Sequence, residues 1–587
     1  MLSKSEDRFL NDIEIERAWT HVEYLSTLDK TSGTEGERRA HEYIRGELGE
    51  YGVSCHAYEF DSYISHPKEA SLTVVFPSTG AVDCITHAFA KSTPGDGLEA
   101  ELVAMPASQS DIHGGLDEIA EEYRKIGAEG KIVIIRGTAS PVVLWAAEQA
   151  GALTQIHISG EEVLHEMIVT SVWGTPTPES SARMPRISSL AIKKSDGDRL
   201  LKLLESGTVK VRLKTKVETK WRKIPITVAE IKGSEEPERF MLVHGHMDSW
   251  YVGTTDNCTG NAALLELARL FKGHGRELKR SVRIAWWSGH STGRYSGSTW
   301  YADHFFEDLE ENCFLSQNID SPGVKGATDL SGGGLMGTLE FIRQALADAT
   351  GSEQVKANTF FMRAGDQSFY GIGIPSVTVR AYIPQDSPLR GKLIGGSGGG
   401  WWWHSAYDTL DKADRNHLLR DIRMNALALL RSLNSEVLPF DFAQVADQYL
   451  KTLTDIQTRV TSGAFNLNKV LDKVRELKSQ SEALNAAITQ AKGTKKETIY
   501  ALNRLLMEVS KILTSTYYAR AGRYEHDPAY SLGFVPALQE AGKLAGLDPE
   551  SDGAGFLRTK MVREVNRVNH QLSEATGRIV EAIRMIT

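Results

Sequence analysis

Cysteine is scarce: 4 occur in 587 residues, at Cys55, Cys84, Cys258 and Cys313, far apart and in no CxxC pair. Such spacing points to free thiols in a reducing cytoplasm rather than a disulfide framework. Cys258 lies close to the most polar motif of the chain, where a small buried residue fits better than a nucleophile. Positive charge is also short, since 67 Lys and Arg against 76 Asp and Glu leave a net charge of -9. A nucleic-acid partner, which needs a clustered positive surface, is therefore not expected. No uninterrupted apolar run approaches the roughly 20 residues of a membrane span. The charged start, Met1–Arg8, lacks the apolar core of a signal peptide. These absences together lead to the expectation of a cytoplasmic protein without a membrane partner.

What is present begins with size. A chain of 587 residues, 41% hydrophobic and 24% charged, has an ordinary globular composition and is too long for one core. The organising stretch is a short apolar strand, Phe240–Val243, that runs into His244-Gly-His-Met-Asp-Ser-Trp250 and Thr254-Thr-Asp-Asn257. Gly260–Leu270 then shows helical periodicity. A strand–loop–helix unit of this kind sets its loop at the carboxyl edge of a sheet, where open α/β folds build their sites. Strands and helices alternate over 224–435, with further strands expected at Ser281–Trp287, Asn312–Ile319 and Gly373–Val379, which predicts a twisted, mostly parallel sheet. Between 66 and 215 the pattern shifts to short β-rich pieces, including strands at Gly130–Gly137, Met184–Ile192 and Val209–Val217. Beyond Leu438–Asp441 it shifts again, to long helical patterns rich in Leu, Ala, Lys and Glu, without internal repeats. The expected organisation is an α/β domain from 1–65 and 216–437, a β-rich insert at 66–215, and a helical domain at 438–587.

Four residues in or beside strand ends carry groups that bind a metal ion: His246, Asp256, Asp320 and His404. Metal-assisted hydrolysis needs a cation to polarise a carbonyl and acidify a water, with nitrogen and carboxylate ligands held rigidly at strand ends. Any one of the four alone reads as a hydrogen-bonded histidine or a turn-forming aspartate. Their joint placement reverses that.

With these residues quoted, the chain resembles the co-catalytic zinc peptidase family of aminopeptidases, glutamate carboxypeptidase II and the transferrin receptor. The likeness runs through Ser32–Ile44, an insert like the protease-associated domain, Gly245–Trp250, Asp256-Asn257, Leu265–Arg269, Gly297–Ala302, Asn318–Asp320, Gly373–Pro375, His404–Thr409 and Leu438–Asp441. The resemblance implies the zinc aminopeptidase fold, with His246 and Asp320 on one metal, His404 on the other and Asp256 bridging the two. Zinc is the expected ion, one or two per chain. Asp248 would be the carboxylate that fixes the His246 tautomer. Asp366 falls in the segment that shapes the family's substrate pocket, and the helical domain implies a homodimer.

One departure matters most. After Ile284–Trp287 the family pattern has two adjacent glutamates, a general base and a metal ligand; here the chain reads Ser288-Gly-His-Ser-Thr-Gly-Arg-Tyr-Ser-Gly-Ser298, which sets His290 and Ser291 at those positions. Three roles compete. His290 could replace the lost carboxylate as a ligand. It could instead be the base, since imidazole titrates near neutrality. Or the domain could be a non-catalytic binding scaffold. Arg294 suits a substrate carboxylate and Tyr295 an oxyanion. Trp401-Trp-Trp403 cannot all be core, and Trp403 is expected to line the pocket. Tyr524–Tyr530 holds no lysine for a terminal glutamate carboxylate. The expected function is metal-dependent hydrolysis of an amide or peptide-like C–N bond in a small substrate. Metal-dependent C–N or C–C cleavage of a non-peptide metabolite is the alternative, beside the receptor-like scaffold.

Overall fold

The computed structural model describes residues 1–111, 115–358, 367–392, 394–460, 465–490 and 495–587. Its centre is the strand Glu236–His246, parallel to Arg280–Trp287 on one side and to Cys313–Asn318 on the other. Cys313–Asn318 pairs in parallel with Ser376–Tyr382, and antiparallel strands flank this parallel core on both sides. The apolar run at 240–243 follows from burial on both faces, as expected for a parallel sheet. Phe240 and Leu242 pack with Ile224 and Trp287 on one face. Met241 and Val243 pack on the other face with Leu264 and Leu267 of the helix Thr259–Gly273.

A two-stranded ribbon links this sheet to the insert. Cys55–Phe76 and Lys210–Ile231, each 22 residues long, run antiparallel from one domain into the next. The strand expected at Val209–Val217 continues to Ile231, because nothing beyond it turns the chain. Pro67 is accommodated at a bulge, where the register shifts between Pro67 and Glu69. The ribbon thus crosses 65/66 and 215/216 without a break.

The insert alternates strands and helices. Leu98–Ala104, Ile132–Arg136, Thr154–Ile158 and Ser188–Ile192 form successive parallel pairs, with Leu116–Lys125, Pro141–Gln149 and Lys194–Glu205 as helices. After Asp441, whose carboxylate caps the next helix by accepting from Ala443 N and Gln444 N, four long helices follow: Phe442–Arg459, Asn468–Gln490, Lys496–Tyr518 and Asp552–Ile586. Their apolar side chains, among them Leu453, Val509 and Leu572, join the core that contains Leu427 of the α/β domain. Among the described residues, no helix is long and apolar enough to cross a membrane.

Several histidines are held neutral inside this fold. Burial, and secondarily Arg17, lower the pKa of His21 to about 4, while its ring nitrogens meet the hydroxyls of Tyr43 and Tyr51, each at 2.7 Å. Burial lowers His41 and His87 to about 3. The unfolded chain binds protons at these rings near pH 6.5 and the folded chain does not, so stability falls as pH drops from about 6.5 toward 4. Thermal melting between pH 7.5 and 4.5 should show that decline, and His21→Phe should flatten it.

Candidate metal centre

The centre sits at the carboxyl ends of the central strands. His246 ends the strand Glu236–His246, and Asp320 lies two residues past the strand Cys313–Asn318. Asp256 lies in the turn before the helix Thr259–Gly273, and His404 comes from the loop beyond Ser376–Tyr382. His246 Nε2 is 3.1 Å from Asp256 Oδ1 and 3.8 Å from Asp320 Oδ1. His404 Nε2 is 3.2 Å from the other oxygen of the same carboxylate, Asp256 Oδ2. Asp256 therefore presents one oxygen to each imidazole, the arrangement of a bridging carboxylate.

Hydrogen bonding fits these residues to a cation. His246 Nδ1 donates to the carbonyl of Asp248 at 2.8 Å, and His404 Nδ1 donates to the carbonyl of Glu166 at 2.7 Å. Each bond holds the proton on Nδ1 and leaves the Nε2 lone pair for a metal. Among the described residues, His246 Nε2 is buried without a hydrogen-bond partner, despite its short approach to Asp256. Burial opposes a charge on His246, but Asp256 and Asp320 outweigh it and raise its pKa well above the ordinary value. That negative field is what a dication would neutralise. The ligand atoms of His246, Asp256 and Asp320 lie within 4.8 Å of one another. This is a three-ligand set of nitrogen and carboxylate oxygen, suited to zinc or a similar divalent ion with a position left open. Beside it, His404 and Asp256 offer two ligands for a second ion.

The surrounding hydrogen bonds hold the ligands in place. Asp408, buried, accepts from Thr255 N at 2.9 Å, Thr255 Oγ1 at 2.8 Å and Asp256 N at 3.1 Å. Burial, reinforced by the charge of Asp256, pushes Asp408 up to about 7. Asn257 ties the Asp256 turn to the Asp320 turn, donating from Nδ2 to Ile319 O at 3.0 Å and accepting from Ser321 N at 3.0 Å. Gly260 must be glycine here, because a Cβ would stand 2.0 Å from Asn257 Oδ1. His404 itself adopts a φ of 53°, costly for a non-glycine residue. Its stack on Trp403, with ring centroids 3.7 Å apart, and the bonds that its carbonyl and Nδ1 make with the Glu166 backbone hold it there.

Asp248 acts differently from expectation. Its backbone carbonyl, not its carboxylate, orients His246. The carboxylate turns toward the 288–291 loop and accepts from His290 N and Ser291 N, each at 2.9 Å. Glu37 is buried near it; burial and the charge of Asp248 raise the Glu37 carboxyl well above its usual range.

His290 lies flat against His246, with centroids 3.9 Å apart and planes 14° from parallel. A metal bound to an imidazole nitrogen lies in that ring's plane, about 2 Å from the nitrogen. Two nearly parallel rings at this separation cannot share one ion in that way, so the stack favours a role beside the metal of His246 over a place in its coordination shell. Tyr295 meets the His290 ring edge-on at 4.8 Å and stacks on Trp173 of the insert at 4.0 Å. Arg294 and Tyr295 have φ of 51° and 69°, two successive residues in the left-handed region. The bonds Tyr295 N to His290 O, 3.0 Å, and Gly174 N to Arg294 O, 2.6 Å, hold this kink. Arg294 is half-buried, donates from Nη2 to Ala529 O at 3.2 Å, and pairs with no carboxylate among the described residues. Burial lowers its pKa.

The three tryptophans separate as their spacing requires. Trp402 is core, with Nε1 donating to Thr255 Oγ1 at 3.0 Å, while Trp401 and Trp403 are half-buried. Asp366 lies outside the described residues. Sequence reasoning gave no role to Asp408 or Asn257, although both fall inside quoted motifs. Glu166 carried no sequence signal, because its contact with His404 spans 238 residues.

Residues 227–429 match the model of peptidase family M28. A probable glutamate carboxypeptidase of Zea mays is 22% identical over 87% of this chain and 81% of its own length. Carboxypeptidase Q of Bos taurus is 28% identical over 36% of this chain and 44% of its own. Among solved structures, an aminopeptidase from Aneurinibacillus sp. strain AM-1 superposes with a TM-score of 0.54 at 21% identity, covering 73% of this chain and 95% of that one. A zinc aminopeptidase from Bacillus subtilis gives 0.54 at 20% identity, covering 72% and 96%. At these identities the structures establish the shared fold.

Asp408→Asn replaces an acceptor of three bonds with a side chain that has one acceptor oxygen. Metal affinity, measured by chelator competition, should fall about 10- to 100-fold while the circular dichroism spectrum is unchanged.

Proposed function

We propose that this chain, in which residues 227–429 form a peptidase family M28 domain, is a metal-dependent hydrolase of an amide or peptide bond, with His290 as its proton-transfer group. The observation that carries this is the Asp256 carboxylate split between His246 Nε2 and His404 Nε2, both rings oriented by backbone carbonyls. A divalent ion, zinc by ligand chemistry, supplies there a Lewis acid for the scissile carbonyl and for water. His246, Asp256 and Asp320 would hold the principal ion, and His404 with Asp256 would offer a second, weaker position.

In this reading His290 accepts a proton on a ring nitrogen during attack and returns it to the leaving amine. Asp248 fixes the backbone of His290 and Ser291, and Tyr295 sets the tilt of the His290 ring by its edge-on contact. The half-buried Arg294 guanidinium, bonded among the described residues to a backbone carbonyl, pairs with a carboxylate of the substrate. Trp403, stacked on His404 and half-buried, gives an apolar wall.

Chelation should abolish hydrolysis of aminoacyl and peptidyl amides, and zinc should restore it. His290→Ala should keep its metal but lose about 10²- to 10⁴-fold in kcat. Loss of metal from that variant would instead make His290 a ligand. A metal-loaded protein that cleaves none of these amides would remove the hydrolase reading.

A further inference from the structure

The carboxyl ends of the insert's parallel strands border a cavity of about 830 Å³. Arg136 ends the strand Ile132–Arg136, Ser159 and Gly160 follow Thr154–Ile158, and Lys194 lies two residues past Ser188–Ile192. The remaining wall comes from 385–392 and 394–395, which carry Arg390 and Lys392. The two walls meet at Gly160, where a Cβ would stand 3.0 Å from the Lys392 carbonyl oxygen. Open parallel sheets hold ligands outside the carboxyl ends of their strands, and this volume suits a small molecule.

The charge of this lining is the reverse of the chain's. The protein carries a net charge of -9, yet among the described residues the cavity is lined by the four cations Arg136, Lys194, Arg390 and Lys392 and by no carboxylate. The acids nearby do not cancel them. Asp198 accepts from both Arg136 and Lys194, one negative charge against two positive. Glu161 Oε1 accepts from Lys392 N at 2.7 Å, and Glu162 accepts from Ser195 N and Oγ. Asp386 is exposed and stands outside the lining. Neither Arg390 nor Lys392 forms an ion pair among the described residues.

Arg390 is also built into place. Its Nη1 donates to the carbonyls of Ile383 at 3.2 Å and Gly398 at 3.1 Å. Gly398 and Gly399 take φ of 61° and 90°, and a Cβ on Gly399 would stand 1.9 Å from Nη1. These glycines wrap the guanidinium and fix a half-buried cation in the wall, so little freedom is lost when an anion binds it.

We propose that this cavity binds the phosphate group of a small phosphomonoester, with Arg390 and Lys392 on one wall and Arg136 and Lys194 on the other as its charge partners. Such a group carries close to two negative charges and three strong acceptor oxygens, which several cations match and a guanidinium fork grips. A bare phosphate ion would fill only a small part of the cavity, so the organic part of the ester has room beside it. A ligand held from both walls ties residues 159–160 to 390–392, the stretches that continue to Glu166 and to His404. The site does not depend on the hydrolase reading, and its test reads binding alone.

Calorimetric titration of the full, metal-loaded chain at low ionic strength should show glucose 6-phosphate binding at least about tenfold more tightly than glucose. Inorganic phosphate should compete with the ester and bind more weakly. Arg390 also holds the glycine turn, so the exposed residues Lys392 and Arg136 carry the mutational test. Lys392→Gln and Arg136→Gln should each weaken the ester about threefold or more. Stripping the metal with a chelator should leave its affinity within about twofold, because these four cations lie outside the metal centre. Equal affinity for sugar and sugar phosphate, binding of neither, or undiminished affinity in both variants would overturn the proposal. So would tighter binding of inorganic phosphate, which would assign the cavity to the free ion, and so would loss of binding on chelation, which would place the phosphate on the metal.

Discussion

Everything at the centre depends on where one carboxylate is held. Asp256 can face two imidazoles only if its turn is fixed from both sides, and the surrounding residues do this with backbone hydrogen bonds. Asp408 grips the turn from the His404 loop, and Asn257 ties it to the strand end that carries Asp320. The candidate ligand atoms of His246, Asp256 and Asp320 are thereby held within 4.8 Å of one another. The cost is a cluster of buried charge, visible in the raised pKa of His246 and in the strained backbone of His404. Such strain persists where surrounding contacts over-determine it, commonly at functional sites.

The three parts of the chain are coupled at this point. The α/β sheet supplies the ligands, and the insert supplies the Glu166 carbonyl that orients His404 and the Trp173 face that supports Tyr295. The segment after Tyr518 supplies the Ala529 carbonyl that receives Arg294. The unbroken ribbon Cys55–Phe76 with Lys210–Ile231 is the stiff connection that makes these contacts possible, since a flexible linker would not hold an insert residue against a metal ligand.

In the reading proposed above, where His290 and Ser291 stand at the positions of the resembled family's paired glutamates, the change is in chemistry more than in geometry. The loop remains anchored, with both backbone N–H groups bonded to Asp248 and the glycine before them bonded to Ser32 Oγ. In that reading, a histidine stacked on His246 keeps a proton acceptor beside the site without adding negative charge. Asp256 is then left to serve the second position with His404 alone, which argues for unequal metal positions.

Much of this was written in the sequence. The apolar run at 240–243, bounded by polar residues and followed by a helical repeat, determined a buried strand with its site at the carboxyl end, because both signals are local. The identities of His246, Asp256, Asp320 and His404 followed from ligand chemistry at strand ends and from resemblance. What local pattern could not decide was which atom of each residue faces which neighbour. Asp248 bonds through its carbonyl to His246 and through its carboxylate to another loop, and no spacing rule distinguishes those two acceptors. The continuity of the long ribbon, the stack of His290 on His246 and the approach of Glu166 to His404 arise from packing between segments far apart in the chain. Only the tertiary structure settles them, since their energies come from contacts that exist only once the domains have closed on one another.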